Sequence, residues 1–562
     1  MQKKIILLVL FVGIIALPFL FRKKEEIAVS SPDEVLIILS PHTESLWDEF
    51  TFGFRDWYLK RTGKTVNIDW RNPGGTGAII KFLDSLYENA FYNYWTEDLK
   101  RPWSKEVLVA YDKNIDLDDT PEDDTLQETV RRAMLNSNIS CGIDLIFGGG
   151  FYDFQRQALK GRLVRSDIFD THANWFSPDV IPESLSGCDL RDPGNLWIGA
   201  VFSNFGIVYN KHAVEQLGIE KYPYSWEDLN DPRYFGEVAL ADPTSSGAVN
   251  ATFDMMIQDQ MNRSYAALSK TFPNMPEADI EYEAIREGWL NGLRVIQKSA
   301  ANARYFTDKS TKPALDVGSG DCAVGMAIDY YGRNHAQNLE DRVGSTRFVY
   351  HMPPGGSALA PDSIALLRGA PNKEVAEAFI EYVLSIEGQK LWDYPVGAPG
   401  GPKKSTLRRS PIRREFYLNE ELNSPLIDGN FNPYLTAEEF IYHPGWTSPI
   451  LFTMRFLIKS CFIDPHDELQ RAWAAVIRAR NEGRNDDADR GDKIMQDLEI
   501  VNYDTTSGYL RETFSSGNPL KDVQLRTKLT KFFMSQYHRA ETIANGQADP
   551  GQIPANTVFE QK

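Results

Sequence analysis

A regular alternation of short apolar runs and amphipathic stretches constrains the fold of this chain more than any other feature. Residues 34–40 form an apolar run bounded by polar residues, which is typical of a buried parallel strand. Residues 46–61 carry apolar side chains at helical spacing, and residues 65–70 form a second strand-like run. A glycine loop at 72–77 then precedes a second helix-like stretch at 78–86. This βαβα start predicts an α/β fold with a parallel sheet covered by helices.

The order of the later strands and helices predicts two lobes joined by two chain crossings, near Val201 and near Tyr350. The predicted organisation is a signal sequence or membrane anchor at 1–30, the first part of lobe 1 at 31–200 with an insertion at about 88–136, lobe 2 at 201–349, a return to lobe 1 at 350–402, and a mostly helical C-terminal extension at 403–562.

The amino terminus carries an apolar run that bears on location. Residues 5–21 are continuously apolar, and Arg22, Lys23 and Lys24 follow. Such a run is at the short end of the ~17–25 residues that span a bilayer, yet it is long for a signal-peptide core of ~7–15 residues. We expect a signal sequence that is retained as an inner-membrane anchor, with the bulk of the chain in the periplasm. Whether this segment is cleaved stays open.

Length, charge and cysteines narrow the class of protein. The chain of 562 residues is long enough for two or three domains. Its net charge of −18 argues against a nucleic-acid partner, because phosphate binding needs a basic face. The four cysteines are too far apart for a zinc pattern, and both disulfides and buried free thiols stay open for Cys141, Cys188, Cys322 and Cys461.

Motifs of several enzyme classes are missing from the sequence. It contains no His-Glu-x-x-His, no Gly-x-Ser-x-Gly, no phosphate-binding loop and no dinucleotide fingerprint. The sequence therefore favours a binding protein over an enzyme. An exported enzyme with a carboxylate pair is the alternative, and a sensor ectodomain is a third, which the few residues before the apolar run disfavour.

Candidate metal ligands lie at the predicted strand ends. His42 follows the first strand, and Tyr330 and Tyr331 follow an apolar run that ends near Ala327. Ligands of open parallel sheets bind beyond the carboxyl ends of the strands. Phenol oxygens with one imidazole suit Fe(III) better than a soft metal. The alternative is that both tyrosines line a seam between domains with their hydroxyls in water.

A candidate anion site lies at the start of a predicted helix over 249–260. The preceding turn, Ser245-Ser246-Gly247-Ala248, would present hydroxyls and free amide N–H groups to an anion. The alternative is an ordinary serine N-cap without a ligand.

From Glu34 to Pro402, the order of these pieces resembles the type 2 periplasmic solute-binding proteins of ABC transporters, and within them the ferric-ion-binding branch. The resemblance implies a two-lobed α/β clamp that delivers Fe(III), with a synergistic anion and no organic cofactor, to an ABC permease. It implies four metal ligands: His42, Tyr209, Tyr330 and Tyr331. For the anion, the resemblance and the serine and glycine loops together suggest Gly75, Thr76, Ser245, Ser246, Gly247, Ala248 and Ser310.

The sequence departs from that pattern in three places. The loop after the third strand is Gly148-Gly149-Gly150, where some relatives carry an acidic ligand, and Asp153 is the nearby carboxylate. The insertion and the C-terminal extension lie outside the family core. The alternative ligand is therefore a phosphonate or another small anion.

Overall fold

Two β-sheets form the centres of two lobes in the computed structural model, which describes residues 32–117, 124–516 and 518–559. The α/β class predicted from the sequence is confirmed. The strands are β1 (Glu34–Leu39), β2 (Val66–Arg71), β3 (Leu145–Gly150), β4 (Leu163–Val164), β5 (Ser184–Leu185), β6 (Cys188–Asp189), β7 (Ile198–Ser203), β8 (Phe205–Asn210), β9 (Val238–Ala241), β10 (Ala303–Thr307), β11 (Val324–Ile328), β12 (Phe348–His351) and β13 (Ala360–Leu367).

Lobe 1 contains the sheet β2-β1-β3-β13-β4, with β7 also paired to β13. β1 is parallel to β2 and β3, whereas β13 is antiparallel to β3. β3, β7 and β13 are strongly apolar because both of their faces are covered, whereas β2 at the edge of the sheet is half polar. The helices of the first part of lobe 1 and its insertion are α1 (Glu44–Thr62), α2 (Thr76–Asn93), α3 (Lys105–Ala110), α4 (Leu126–Asn136), α5 (Phe151–Leu159) and α6 (Ile168–Thr171).

Lobe 2 contains the sheet β10-β9-β11-β8-β12. β9 is parallel to β10 and β11, and β8 is antiparallel to β11 and β12. Its helices are α7 (Lys211–Gln216), α8 (Gly247–Thr271), α9 (Glu277–Asn302), α10 (Lys312–Ser319) and α11 (Asp329–Val343).

The chain crosses between the lobes twice, at Asn204 between β7 and β8 and at 352–359 between β12 and β13. The predicted crossing points, Val201 and Tyr350, lie in β7 and β12. The two crossings are joined directly, because the Tyr350 hydroxyl donates a hydrogen bond to Asn204 Oδ1. The backbone carbonyl of Asn204 also accepts from the Asp329 N–H at 3.0 Å, which fixes the start of α11 at the crossing.

The last part of the chain is helical, as the sequence predicts. Helices α12 (Lys373–Leu384) and α13 (Ile386–Asp393) complete lobe 1. The C-terminal extension then contains α14 (Glu415–Leu418), α15 (Glu420–Asn423), α16 (Pro433–Thr436), α17 (Pro444–Thr447), α18 (Leu451–Ile458), α19 (His466–Asn481), α20 (Asn485–Met495), α21 (Tyr503–Thr505), α22 (Arg511–Phe514) and α23 (Pro519–Ala544).

This extension packs against both lobes. Its start is attached to α1, where the buried Glu49 carboxylate accepts backbone hydrogen bonds from residues 403–405. Its later helices share one hydrophobic core with lobe 2, and indole hydrogen bonds cross that core in both directions. Trp473 donates to Asn302 Oδ1 at 2.7 Å, and Trp289 donates to the Val501 carbonyl at 2.9 Å. Burial of each large apolar side chain contributes about 1.5–3 kcal/mol, so the extension is an integral part of lobe 2.

Several expectations are corrected or fall outside the description. Tyr330 and Tyr331 lie in the first turn of α11, not at the end of a strand. All four cysteines are buried and free. The anchor expected at residues 5–21 lies outside the described residues, within which no helix is both long and apolar enough to cross a membrane.

Candidate functional site

A cavity of about 120 Å³ lies between the two lobes, at the ends of the strands where helices begin. Four helices, α2, α5, α8 and α11, have their amino ends at its wall. Of the residues predicted from the sequence, the structure brings these together in the lining: His42, Gly75, Thr76, Ser246, Gly247, Ala248, Ser310, Tyr330 and Tyr331.

His42 has hydrogen-bond partners for both ring nitrogens. Its Nδ1 lies 3.1 Å from Ser40 Oγ, and its Nε2 lies 3.0 Å from Asp362 Oδ2. Arg409 also donates to Asp362 Oδ2, and the Gly149 N–H donates to Oδ1. Burial raises the pKa of Asp362, but Arg409 and His42 together hold it well below its usual range. Arg409, His42 and the Gly149 N–H therefore already stabilise the negative charge of Asp362 in this part of the cavity wall.

Gly148 is required for this arrangement. Its φ of +97° lies in a region that side chains disfavour. A Cβ at this position would also come within 2.4 Å of His42 Cε1. The triple-glycine loop thus makes room for the imidazole, which explains a feature that departs from the expected family pattern.

The two tyrosines have different surroundings. The Tyr330 hydroxyl crosses the cleft to lobe 1, where it lies 2.5 Å from Thr43 Oγ1 and 2.9 Å from Ser45 Oγ. Tyr331 lies beside it, with 5.3 Å between the ring centroids. Burial, with smaller contributions from Tyr330 and Asp362, raises the pKa of Tyr331 to about 12. Both phenols face the same cavity, but Tyr331 must lose a tightly held proton before it can bind a metal.

Tyr209 does not line the cavity. It is buried in the core of lobe 2, where its ring stacks on Tyr222 with 5.1 Å between centroids. The physical reason is the direction of β8, which starts at the crossing and runs away from the cleft. Phe205 lines the cavity, and Tyr209 lies four residues further on, about 13 Å along the strand.

The predicted anion loop forms the start of α8. Ser246 is the N-cap, and its hydroxyl accepts from the Val249 N–H at 3.4 Å. Both the N-cap interpretation and a ligand interpretation are compatible with this bond, since the first amides of the helix have no partner within it. Ser245 is not in the lining. Its carbonyl instead approaches the start of α2, where it would lie 3.5 Å from a Cβ on Gly75.

Asp153 lies close to the same helix end. A Cβ on Gly247 would come within 2.6 Å of Asp153 Oδ2, so glycine permits this approach. Burial raises the pKa of Asp153, while Arg455 and Arg156 oppose that rise. The carboxyl group is thus held between a positive helix end and two guanidinium groups.

The sequence did not predict the cavity residues that the C-terminal extension and α8 contribute. The extension supplies Arg409, Tyr442, Leu451 and Arg455, and α8 supplies Asn250 and Asp254. No motif marks the extension residues, because only tertiary packing brings residues some 200 positions apart to the wall. Asn250 and Asp254 follow the predicted loop at helical spacing, so a helical projection of α8 would have found them.

The described residues contain no cluster of three or more His, Cys, Asp or Glu placed to hold a metal ion.

Comparison with known proteins finds a similar family over the middle of the chain. Residues 142–416 match the family described as bacterial extracellular solute-binding protein. The matched part, just under half of the chain, contains lobe 2 and the second half of lobe 1, and it is similar to that family.

Three curated proteins are similar to parts of this chain, and their names differ. An uncharacterized protein of Haemophilus influenzae is 28% identical over 251 residues, which are 44% of this chain and 60% of the relative. The phosphoglycerate transport regulatory protein PgtC of Salmonella typhimurium is 24% identical over 232 residues, 41% of this chain and 49% of the relative. Iron uptake protein A2 of Synechocystis is 24% identical over 251 residues, 43% of this chain and 62% of the relative. The chain thus spans less than two thirds of each relative.

Among solved structures, the periplasmic binding protein AfuA of Actinobacillus pleuropneumoniae, with fructose-6-phosphate bound, aligns with a TM-score of 0.43 and 18% identity. The alignment covers 72% of this chain and 95% of AfuA.

Proposed function

We propose that this protein is an extracytoplasmic solute-binding protein that captures a small organic anion between its lobes and delivers it to an ABC-transporter permease. The observation that carries the proposal is the convergence of the α2 and α8 amino ends, with the Thr76 and Ser246 hydroxyls, at one cavity, which Arg455 also lines. Helix amino ends and guanidinium groups are the elements that bind oxyanions in proteins. The family match and the name of the PgtC relative support an extracellular carrier of this kind.

A variant at the N-cap of α8 tests this proposal. Ser246→Asp keeps a good N-cap residue but places a negative charge where the anion would bind. We expect the affinity for organic anions to fall at least tenfold, with little change in melting temperature. Ser104→Asp is the matched control, because Ser104 caps α3 with the same 3.4 Å bond outside the cavity lining. Isothermal titration calorimetry measures both, and equal affinities for the two variants would contradict the proposal.

Ferric iron is the second candidate ligand, and the adjacent Tyr330 and Tyr331 favour it. Together with the Asp153 carboxyl they offer hard oxygen donors in one cavity. The iron-uptake name of the Synechocystis relative also supports it. Phenolate bound to Fe(III) would colour the protein, and Ser246→Asp would not weaken a cation. Colour on addition of a ferric chelate, lost in Tyr331→Phe, would establish iron in place of the organic anion.

A further inference from the structure

Part of the cavity wall is formed by residues of the C-terminal extension that lie beyond the family match. That match ends at residue 416, whereas Tyr442, Leu451 and Arg455 line the cavity from further along the extension. Leu451 and Arg455 belong to α18, and the Leu451 carbonyl accepts from Asn250 Nδ2 at 3.0 Å. This bond fixes α18 against α8, beside the candidate anion loop.

Two guanidinium groups, those of Arg455 and Arg156, lie here near a single carboxyl group, that of Asp153. Arg455 and Arg156 both lie against the ring of Phe452, with their guanidinium carbons 4.6 and 5.6 Å from its centroid. Among the described residues, neither forms an ion pair with a carboxylate, and Arg455 Nε is buried without a hydrogen-bond partner. Burial lowers the pKa of Arg455, Asp153 partly offsets that effect, and Arg156 lowers it further. Two guanidinium groups beside the one carboxyl of Asp153 leave a local excess of positive charge, which fits an incoming anion.

Two acceptor oxygens without partners lie in the same wall. Asn250 and Asp254 are 3% and 1% exposed, and the Oδ1 atom of each has no hydrogen-bond partner among the described residues. Their other atoms are engaged: Asn250 Nδ2 bonds Leu451, and Asp254 Oδ2 accepts from the Tyr442 hydroxyl at 2.9 Å. A buried acceptor without a donor is costly, so these oxygens fit the hydroxyl groups of a ligand.

We propose that the extension completes the binding site and makes it selective for a phosphate ester of a hydroxylated carbon compound. The phosphate lies in the cavity beside Arg455 and the amino end of α8, next to the Asp153 carboxyl, and ligand hydroxyls donate to Asn250 and Asp254. Phosphate fits this site better than carboxylate. Hydrogen-bond donors approach from a helix end, from the Thr76 and Ser246 hydroxyls and from a guanidinium group. The tetrahedral oxygens of a phosphate can accept from all these directions, whereas the two oxygens of a planar carboxylate cannot. This inference rests on the proposed function and names the substrate class.

Calorimetric titration of the full chain with glycerol 3-phosphate tests the inference, with inorganic phosphate and glycerate as reference ligands. We expect glycerol 3-phosphate to bind at least tenfold more tightly than either reference. Arg455→Met keeps much of the side-chain volume and should weaken glycerol 3-phosphate at least tenfold, and Arg455→Lys should recover part of that loss. Arg478→Met is the matched control, because Arg478 is exposed on α19 of the same extension, and it should bind as the unchanged protein does.

The failures are distinguishable. If Arg455→Met keeps the unchanged affinity within twofold while its melting temperature matches that of Arg478→Met, the extension does not contact the ligand and the inference is wrong. If glycerate binds as tightly as glycerol 3-phosphate, the selection for phosphate is wrong. If inorganic phosphate binds as tightly, the hydroxyl contacts are wrong. In these three cases the proposed function stands. If the unchanged protein binds none of a wider panel of organic anions, the proposed function itself fails.

Discussion

At the residue scale, Asp254 is the group whose titration should be most visible in stability. Burial raises its pKa to about 7, and the neighbouring Thr447 and Tyr442 hydroxyls partly oppose this rise. Because the folded pKa lies above the unfolded value, the folded state holds a proton that the unfolded state has lost between about pH 4 and pH 7. The contribution of Asp254 to stability is therefore present at low pH and is lost as pH rises through that range.

Asp254→Asn removes this titration. As pH rises from 5 to 7, the free energy of unfolding of the unchanged protein should fall relative to that of Asp254→Asn by up to about 1.4 kcal/mol for each pH unit. Urea unfolding at several pH values measures this difference. A difference that does not change with pH would show that Asp254 has an ordinary pKa.

Gly148 provides a second prediction at the scale of one residue. In Gly148→Ala the new methyl group meets the His42 ring, and the positive φ adds backbone strain. Gly63→Ala is the matched control, since Gly63 has φ +75° with no atom within 4 Å of an added Cβ. Backbone strain of about 1–2 kcal/mol affects both, and the overlap should cost Gly148→Ala about 1–3 kcal/mol more in urea unfolding. Equal losses would mean that the imidazole moves freely.

Residues that the sequence places at a strand end or a helix start reach the cavity, and whether they bind a ligand stays a prediction. His42, Ser246 and Tyr331 follow such boundaries, and all three reach the cavity. Sequence reasoning misplaced Tyr209, because the pattern of β8 does not reveal which end faces the cleft. It gave no indication that both nitrogens of His42 are already bonded, since Ser40 is near in sequence but Asp362 lies 320 residues away.

At the scale of elements, one hydrogen bond links the two chain crossings between the lobes. The Tyr350 hydroxyl in β12 and the Asn204 side chain between β7 and β8 form one buried contact. Tyr350→Phe keeps the ring but leaves Asn204 Oδ1 without its donor, which should destabilise the protein by about 1–3 kcal/mol. Tyr224→Phe, at a residue 60% exposed, is the control and should have almost no effect. Identical unfolding midpoints for both variants would show that the crossings are not coupled through this bond.

The strands and the longer helices were predictable because their apolar periodicity is set by burial on one or both faces. The βαβα start is an example, since β1 and β2 lie where the sequence placed them. The first turn of α11 was not predictable in the same way. Tyr330 and Tyr331 begin an amphiphilic helix directly after a buried strand, and the sequence carries no conventional capping residue there, because Ile328 is the N-cap.

At the scale of the whole molecule, the C-terminal extension contributes both to the core of lobe 2 and to the cavity. From its sequence it is a helical addition outside the family core. In the structure its helices share the hydrophobic core of lobe 2, and its residues close part of the cavity between the lobes. The cavity is thus lined by residues of the family match and of the extension together, and such long-range packing carries no local sequence signal.

Competitive native mass spectrometry tests the central claim, that this cavity binds a small organic anion, most directly. The full chain is mixed with a set of phosphate esters and hydroxy acids, a weak ferric chelate and a diamine, and the mass of the retained solute is read from the intact complex. The account predicts that one organic anion is retained at one per chain and that Ser246→Asp loses it. Retention of iron or of the diamine, with every organic anion excluded, would contradict the account.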